Sequence, residues 1–144
     1  MSQFYKFYQL PWCSRWLVIE TFCLLGITRF LSFWLPFRFL TPHLGNVQQE
    51  SRTSATPAQQ LIIDQVGRVV RRVSHHTPWT SNCMAQAMTA KWMLQRRSIS
   101  STLYIGVHKV NEQVAAHAWL RAGASVITGG THLEQYRQLV CFGE

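Results

Sequence analysis

Between Ala58 and Val73 the apolar positions fall at Ile62, Val66, Val69, Val70 and Val73, the recurrence of one helix face. The polar positions among them include Arg68, Arg71 and Arg72, which form an opposite, solvated face. Thr56 is placed to cap this helix, and Pro57 suits its first turn, where a missing N–H costs nothing. A second helix is predicted from Cys83 to about Arg96. Met84, Met88 and Trp92 share a face supported by Ala85 and Leu94, and Arg96 and Arg97 complement the dipole at its end. After "SIS" the period changes from helical to two. "STLYIGVH" puts Leu103, Ile105 and Val107 on one side of a strand, with Tyr104 and His108 on the other. "KVNEQ" reads as a turn. "VAAHAWLR" then sets Val114, Ala116, Ala118 and Leu120 against Ala115, His117, Trp119 and Arg121. Gly123 and Ala124 turn the chain into a third strand, "SVIT", ended by Gly129 and Gly130. Helices followed by an antiparallel meander predict an α+β domain.

The first forty residues carry a different pattern. "WLVIETFCLLGITRFLSFWLPF", from Trp16 to Phe37, approaches membrane-spanning length but is interrupted by Glu20 and Arg29 and closed by Pro36. Each charge at a bilayer centre costs roughly 2.5–3.5 kcal/mol on insertion scales. The stretch therefore reads as one or two helices packed on the body or lying on a membrane surface, with Arg15, Arg29 and Arg38 able to snorkel to headgroups. "GNVQQESRTSATP" is polar and reads as a connection. The expected division is an apolar helical segment over 1–45, a polar linker over 46–57 and the α+β domain over 58–144.

Charge narrows the choice of partner. The formal net charge is +8 with only six acidic residues, which favours an anionic partner such as an acidic peptide or a membrane surface. Nucleic acid is disfavoured, because the basic residues are dispersed and no helix-turn-helix or base-stacking motif appears. The four cysteines, Cys13, Cys23, Cys83 and Cys141, form no CxxC pair, so neither a zinc ribbon nor a thioredoxin-type site is indicated. His75 and His76 have no partner at a ligand spacing, and no metal or cofactor is expected. No cleavable export signal stands out, so a cytoplasmic location with free thiols is expected, with membrane attachment as the variant.

The candidate chemistry lies in "TSNCMAQAMTAKW", where Cys83 opens a helix behind a polar stretch suited to capping. Unsatisfied N–H groups and the macrodipole at a helix start favour a thiolate, and an imidazole completes its activation. The N–H groups there, including that of Cys83, could hold an oxyanion. His117, mid-strand with Trp119 on its face, is the candidate base. On residue types alone a cysteine so placed is more often a small packing residue, and His43, His75, His76, His108 and His132 compete with His117.

A resemblance adds to this reading. Pro78-Trp79, Cys83, Arg96-Arg97, Ile105-Gly106-Val107 and His117-Ala118-Trp119 occur in the order seen in the lasso-peptide biosynthesis B2 proteins, and the apolar start ending in "LPFRFL" is also similar. These are transglutaminase-like cysteine proteases. The resemblance implies a transglutaminase/papain-like core in which Cys83 and His117 cleave the leader from a ribosomally made precursor. It further implies two partners besides that precursor: a separate leader-recognition protein and an ATP-dependent, asparagine-synthetase-like cyclase. The family's third member, an aspartate on the strand after the histidine, is absent here, and Asp64, the only aspartate, precedes the cysteine. A regular two-residue turn places Gly130 opposite His117 and makes Thr128 a diagonal neighbour, so Thr128 or Glu134, a backbone carbonyl or a water remain as orienters. Two alternatives keep the same residues: transfer to an amine, as transglutaminases do, or an inactive adaptor that holds precursor and cyclase together.

Overall fold

The computed structural model describes residues 8–144; the first four residues of the apolar stretch that begins at Phe4 lie outside that range. Helix α1 runs Trp12–Trp34, between Pro11 and Pro36. Leu35, before the second proline, is forced into an extended conformation that ends the helix (φ −101°, ψ 133°). A single long helix thus occupies most of the apolar region, followed by the short α2, Phe37–Leu40. Its inward line is Thr21, Leu25 and Thr28, with Leu17, Leu24 and Leu31 against the core. The two buried hydroxyls are satisfied: Thr21 Oγ1 donates to Leu17 O at 2.6 Å, and Thr28 Oγ1 lies 3.0 Å from Thr89 Oγ1. Glu20 also turns inward, pairing with Arg97 at 2.7 Å and Arg96 at 3.2 Å.

Helix α3, Pro57–Ser74, starts with a full capping box: Thr56 Oγ1 accepts from Gln59 N, and the Gln59 side chain accepts from the Thr56 N–H. It buries Ile63, Val66, Gly67, Val70 and Val73, a face rotated slightly from the expected one, with Ile62 and Val69 half-buried at its edge. Helix α4, Cys83–Gln95, is the centre of the fold. Both α1 and α3 pack on it, and the sheet closes it from below. Ala85, Ala87, Met88, Thr89, Ala90, Lys91, Met93 and Leu94 are all buried, so no single stripe marks its inner face. Even Lys91 is enclosed, its Nζ donating to Ser101 O at 2.7 Å and lying 3.3 Å from Glu144. Burial holds this ammonium below its usual range, and Glu144 offsets part of that shift.

The sheet is antiparallel, in the order β1-β5-β2-β3-β4. Strands β2 (Thr102–Val110), β3 (Gln113–Ala122) and β4 (Ser125–Thr128) are the expected meander. Asn111 and Glu112 both have positive φ (48° and 67°), the left-handed pair of a two-residue hairpin, so β2 and β3 run to its edge. The sequence reading missed two strands. Within the stretch read as linker, β1 (Asn46–Val47) pairs with β5 (Arg137–Gly143), and β5 inserts beside β2. One sheet face, with Leu103, Ala118, Leu120 and Ala122, joins the helices in the main core. The other gathers Tyr104, Trp119 and Cys141 with Leu133 and Tyr136. Tyr104 and Trp119 stack at 5.5 Å, and Arg121 fastens residues 50–51 to this face by bonds to Tyr104 Oη at 3.0 Å and Ser51 O at 3.0 Å.

Candidate active site

The loop before α4 is held by short-range bonds. Thr77 Oγ1 donates to Trp79 O at 2.9 Å and lies 2.8 Å from Ser81 Oγ. The Trp79 ring packs 5.0 Å from Phe22 and against Gly26 of α1, where an added Cβ would approach it to 3.2 Å. Asn82 caps α4, its Oδ1 accepting from Ala85 N at 2.9 Å and its carbonyl from Gln86 N at 3.0 Å. The N–H groups of Cys83 and Met84 precede these bonds and have no acceptor among the described residues. They are the open donors of a helix start. Cys83 itself is half-buried against the core. The remaining thiols differ in setting: Cys13 and Cys23 are exposed on α1, and Cys141 is buried, its thiol pushed up by burial.

His117 leaves β3 on the face of Trp119 and Arg121, as the alternation predicts. Its ring lies between Trp119, at 6.0 Å, and Tyr136, at 4.7 Å. Nε2 is 2.7 Å from the Gly129 carbonyl oxygen. A carbonyl only accepts, so Nε2 carries the hydrogen, and Nδ1 of the neutral ring keeps its lone pair. The sequence leaves a backbone carbonyl open as orienter and places Gly130 opposite His117, but names neither the Gly129 carbonyl nor Tyr136.

Neither side chain considered as orienter holds the imidazole. The register is regular from Ala122↔Ser125 to Arg121↔Val126, then shifts so that Leu120 pairs with Thr128. This bulge inserts Ile127 and corrects the diagonal placement expected for Thr128. Thr128 is buried beside Leu120, and its Oγ1 has no hydrogen-bond partner among the described residues. Glu134 is 3.7 Å from His132 instead. The thiol and the imidazole are also not in hydrogen-bond contact. Cys83 Sγ has no such partner among the described residues, and α4 packs on the Ala118–Leu120 face of β3 while His117 projects from the other. No group of three His, Cys, Asp or Glu side chains among the described residues is arranged to hold a metal ion.

A helix opened by cysteine at the centre of an α+β domain, with a histidine on a strand of the sheet behind it, gives the class by fold alone: an α+β domain that fits a cysteine-protease-like fold. The sequence model of the transglutaminase-like superfamily matches residues 29–141, which contain both Cys83 and His117, and the chain belongs to that superfamily. The superfamily includes cysteine peptidases and transglutaminases. No curated protein and no solved structure gives a significant match.

Proposed function

We propose that this protein is a cysteine peptidase that removes the leader from a ribosomally made lasso-peptide precursor, ahead of macrolactam closure. The observation that carries the reading is the open start of α4: Cys83 sits there with two N–H donors unclaimed, inside a superfamily match that also contains His117. The Cys83 thiolate attacks the last carbonyl of the leader. The developing oxyanion takes the N–H groups of Cys83 and Met84. The tetrahedral intermediate collapses to a thioester, and the core peptide leaves as an amine protonated by the imidazolium. Water, deprotonated by the same ring, then releases the leader and restores the thiol. Nδ1 is the nitrogen free for this work, because Nε2–H is committed to Gly129. Because His117 projects from the face of β3 opposite to α4, this mechanism requires substrate binding to move the β3 strand or the start of α4, a larger change than the tightening of a preformed hydrogen bond. A leader-recognition protein would deliver the precursor, and an asparagine-synthetase-like cyclase would use the freed amine.

Mass spectrometry of precursor incubated with this protein and a leader-binding partner tests the reading. Expected are a leader acid and a free-amine core with the wild type, and neither with Cys83→Ala or His117→Ala. Processing by Cys83→Ala at the wild-type rate would sink it. One observation favours a second reading: the separation of thiol and imidazole suits an inactive adaptor that holds precursor and cyclase together. That protein would bind precursor without cleaving it and would support cyclisation of a pre-cut core equally well as Cys83→Ala.

A further inference from the structure

The outward face of α1 has no counterpart in the peptidase reading. Trp12, Trp16, Ile19, Ile27, Phe30 and Trp34 lie on it, and Trp12 and Trp34, at its two ends, are 73% and 66% exposed. The positions 12, 16, 19 are followed by 23, 27, 30, so the pattern repeats after eleven residues and resumes at 34. Cys23 occupies the middle position and is exposed. A repeat of about 3.67 residues per turn keeps the stripe almost straight along the helix, unlike the 3.5 spacing that wraps a partner helix into a left-handed seam. At about 1.5 Å per residue the stripe is roughly 35 Å long. Such a contiguous aromatic surface marks an interaction site.

Charge identifies the occupant. Arg15 and Arg29 lie on the same helix as the stripe and Arg38 follows on α2, while Glu20, the one acid of α1, is turned away into the Arg96–Arg97 pair. The chain as a whole carries +8. Tryptophans at both ends with arginines alongside suit the headgroup level of a bilayer. The helix is long and apolar enough to cross a membrane by length and composition. Its inward face argues against crossing. Thr21 contacts Met93 at 3.5 Å, Thr28 contacts Ala85 O and Thr89, and Glu20 holds two arginines of the α4 terminus. A span would break all of these and expose the core that Leu17, Leu24 and Leu31 close.

We propose that α1 lies in the plane of an anionic lipid surface, its aromatic stripe inserted and its opposite face still packed on α4, so that the domain works as a peripheral membrane protein. The proposal is independent of the peptidase reading, since binding needs neither Cys83 nor His117.

Co-sedimentation of the full chain with vesicles tests it. The protein is expected to pellet with vesicles of phosphatidylcholine mixed with phosphatidylglycerol, at least tenfold more strongly than with phosphatidylcholine alone, and to lose the difference in high salt. Trp16→Ser with Phe30→Ser, on the outward face, should cut partitioning tenfold or more while the thermal unfolding transition is retained. Arg29→Gln with Arg38→Gln should remove most of the preference for anionic lipid. Brominated lipids should quench a fluorophore on Cys23 at a shallow depth, and alkaline carbonate should release the protein from vesicles. Retention through carbonate, with deep quenching, would mean a span and overturn the in-plane geometry. A chain that stays in the supernatant with both vesicles, or a dimer that hides the stripe and ignores lipid, would overturn the proposal outright.

Discussion

The Gly129 carbonyl is the sharpest point of contact between the backbone and the candidate chemistry, and Gly129→Ala probes it. Gly129 has φ +67°, in the left-handed region, where an alanine costs about 1–2 kcal/mol. The added Cβ would meet the Ala118 carbonyl oxygen, a backbone atom, at 2.4 Å. No rotamer relieves that contact, so β4 must shift away from β3, an overpacking worth about 1–3 kcal/mol. The two add to about 2–5 kcal/mol of stability, or roughly 5–20 °C in Tm for a chain of this size. Moving Gly129 also moves the oxygen 2.7 Å from His117 Nε2. Losing one neutral hydrogen bond of about 1 kcal/mol is roughly a fivefold loss in any rate that needs the ring held in place. Thermal unfolding reads the first effect. Nitrogen-15 shifts of the imidazole read the second: the wild type should show Nε2 protonated and Nδ1 bare in its neutral form, and the variant a mixture. The wild-type spectrum alone keeps the idea testable if the variant does not fold. A neutral wild-type ring protonated on Nδ1, or a Gly129→Ala protein as stable as the parent, would refute the reasoning.

Two further predictions follow from groups enclosed by the fold. Thr128→Val keeps the shape and removes a buried hydroxyl that has no partner among the described residues, so stability should rise by about 1 kcal/mol with any precursor cleavage unchanged; a loss of stability in denaturant melts would mean that the hydroxyl is bonded after all. Lys91, lowered in the folded state mainly by burial, gives the unfolded chain more bound protons between its folded value and 10.5, so this residue makes stability rise with pH in that window. Tyr104, raised mainly by burial, acts oppositely above pH 10.0, so the contribution of Lys91 is best taken as the difference between wild type and Lys91→Met in alkaline denaturant melts. A difference that does not change with pH would contradict it.

The α3 face was readable because its other side is wet, and the cap at Thr56 because of its residue type and place before Pro57. The alternation through His117 and Trp119 was readable from its period of two, although both faces are buried at Trp119. Helix α4 gave a poorer face, since Met84 and Trp92 are only half-buried while Lys91 is enclosed. A central helix touched from every side has no wet reference. Strand β5 was missed although "QLVCFG" is apolar enough, because its pairing partners β1 and β2 lie on both sides of it and far away in sequence. The polar run 46–57 hid β1, whose two residues are both exposed and join the sheet through backbone alone.

The candidate site was legible in its side chains and not in its main chain. Cys83 at a capped helix start and His117 mid-strand are candidates on placement and are singled out by the family resemblance, whereas the acceptor for the imidazole depends on one inserted residue. Without the bulge at Ile127, Gly130 would face His117 and Thr128 would be the diagonal neighbour; with it, Thr128 turns to the core and the Gly129 oxygen reaches Nε2. Two glycines make that path feasible, since Gly129 takes a positive φ that a side chain would resist. The substitution of carbonyl for carboxylate has a chemical consequence under the proposed mechanism. A carbonyl directs the ring and fixes its tautomer as a carboxylate does, but it brings no net charge to a cationic ring. The work of stabilising the thiolate and the oxyanion then falls on the start of α4, where the N–H groups of Cys83 and Met84 have no acceptor among the described residues. The dense bonding of Thr77, Ser81 and Asn82 just ahead of that turn is what such a division of labour requires, because a helix end that frayed would lose the donors and the dipole together.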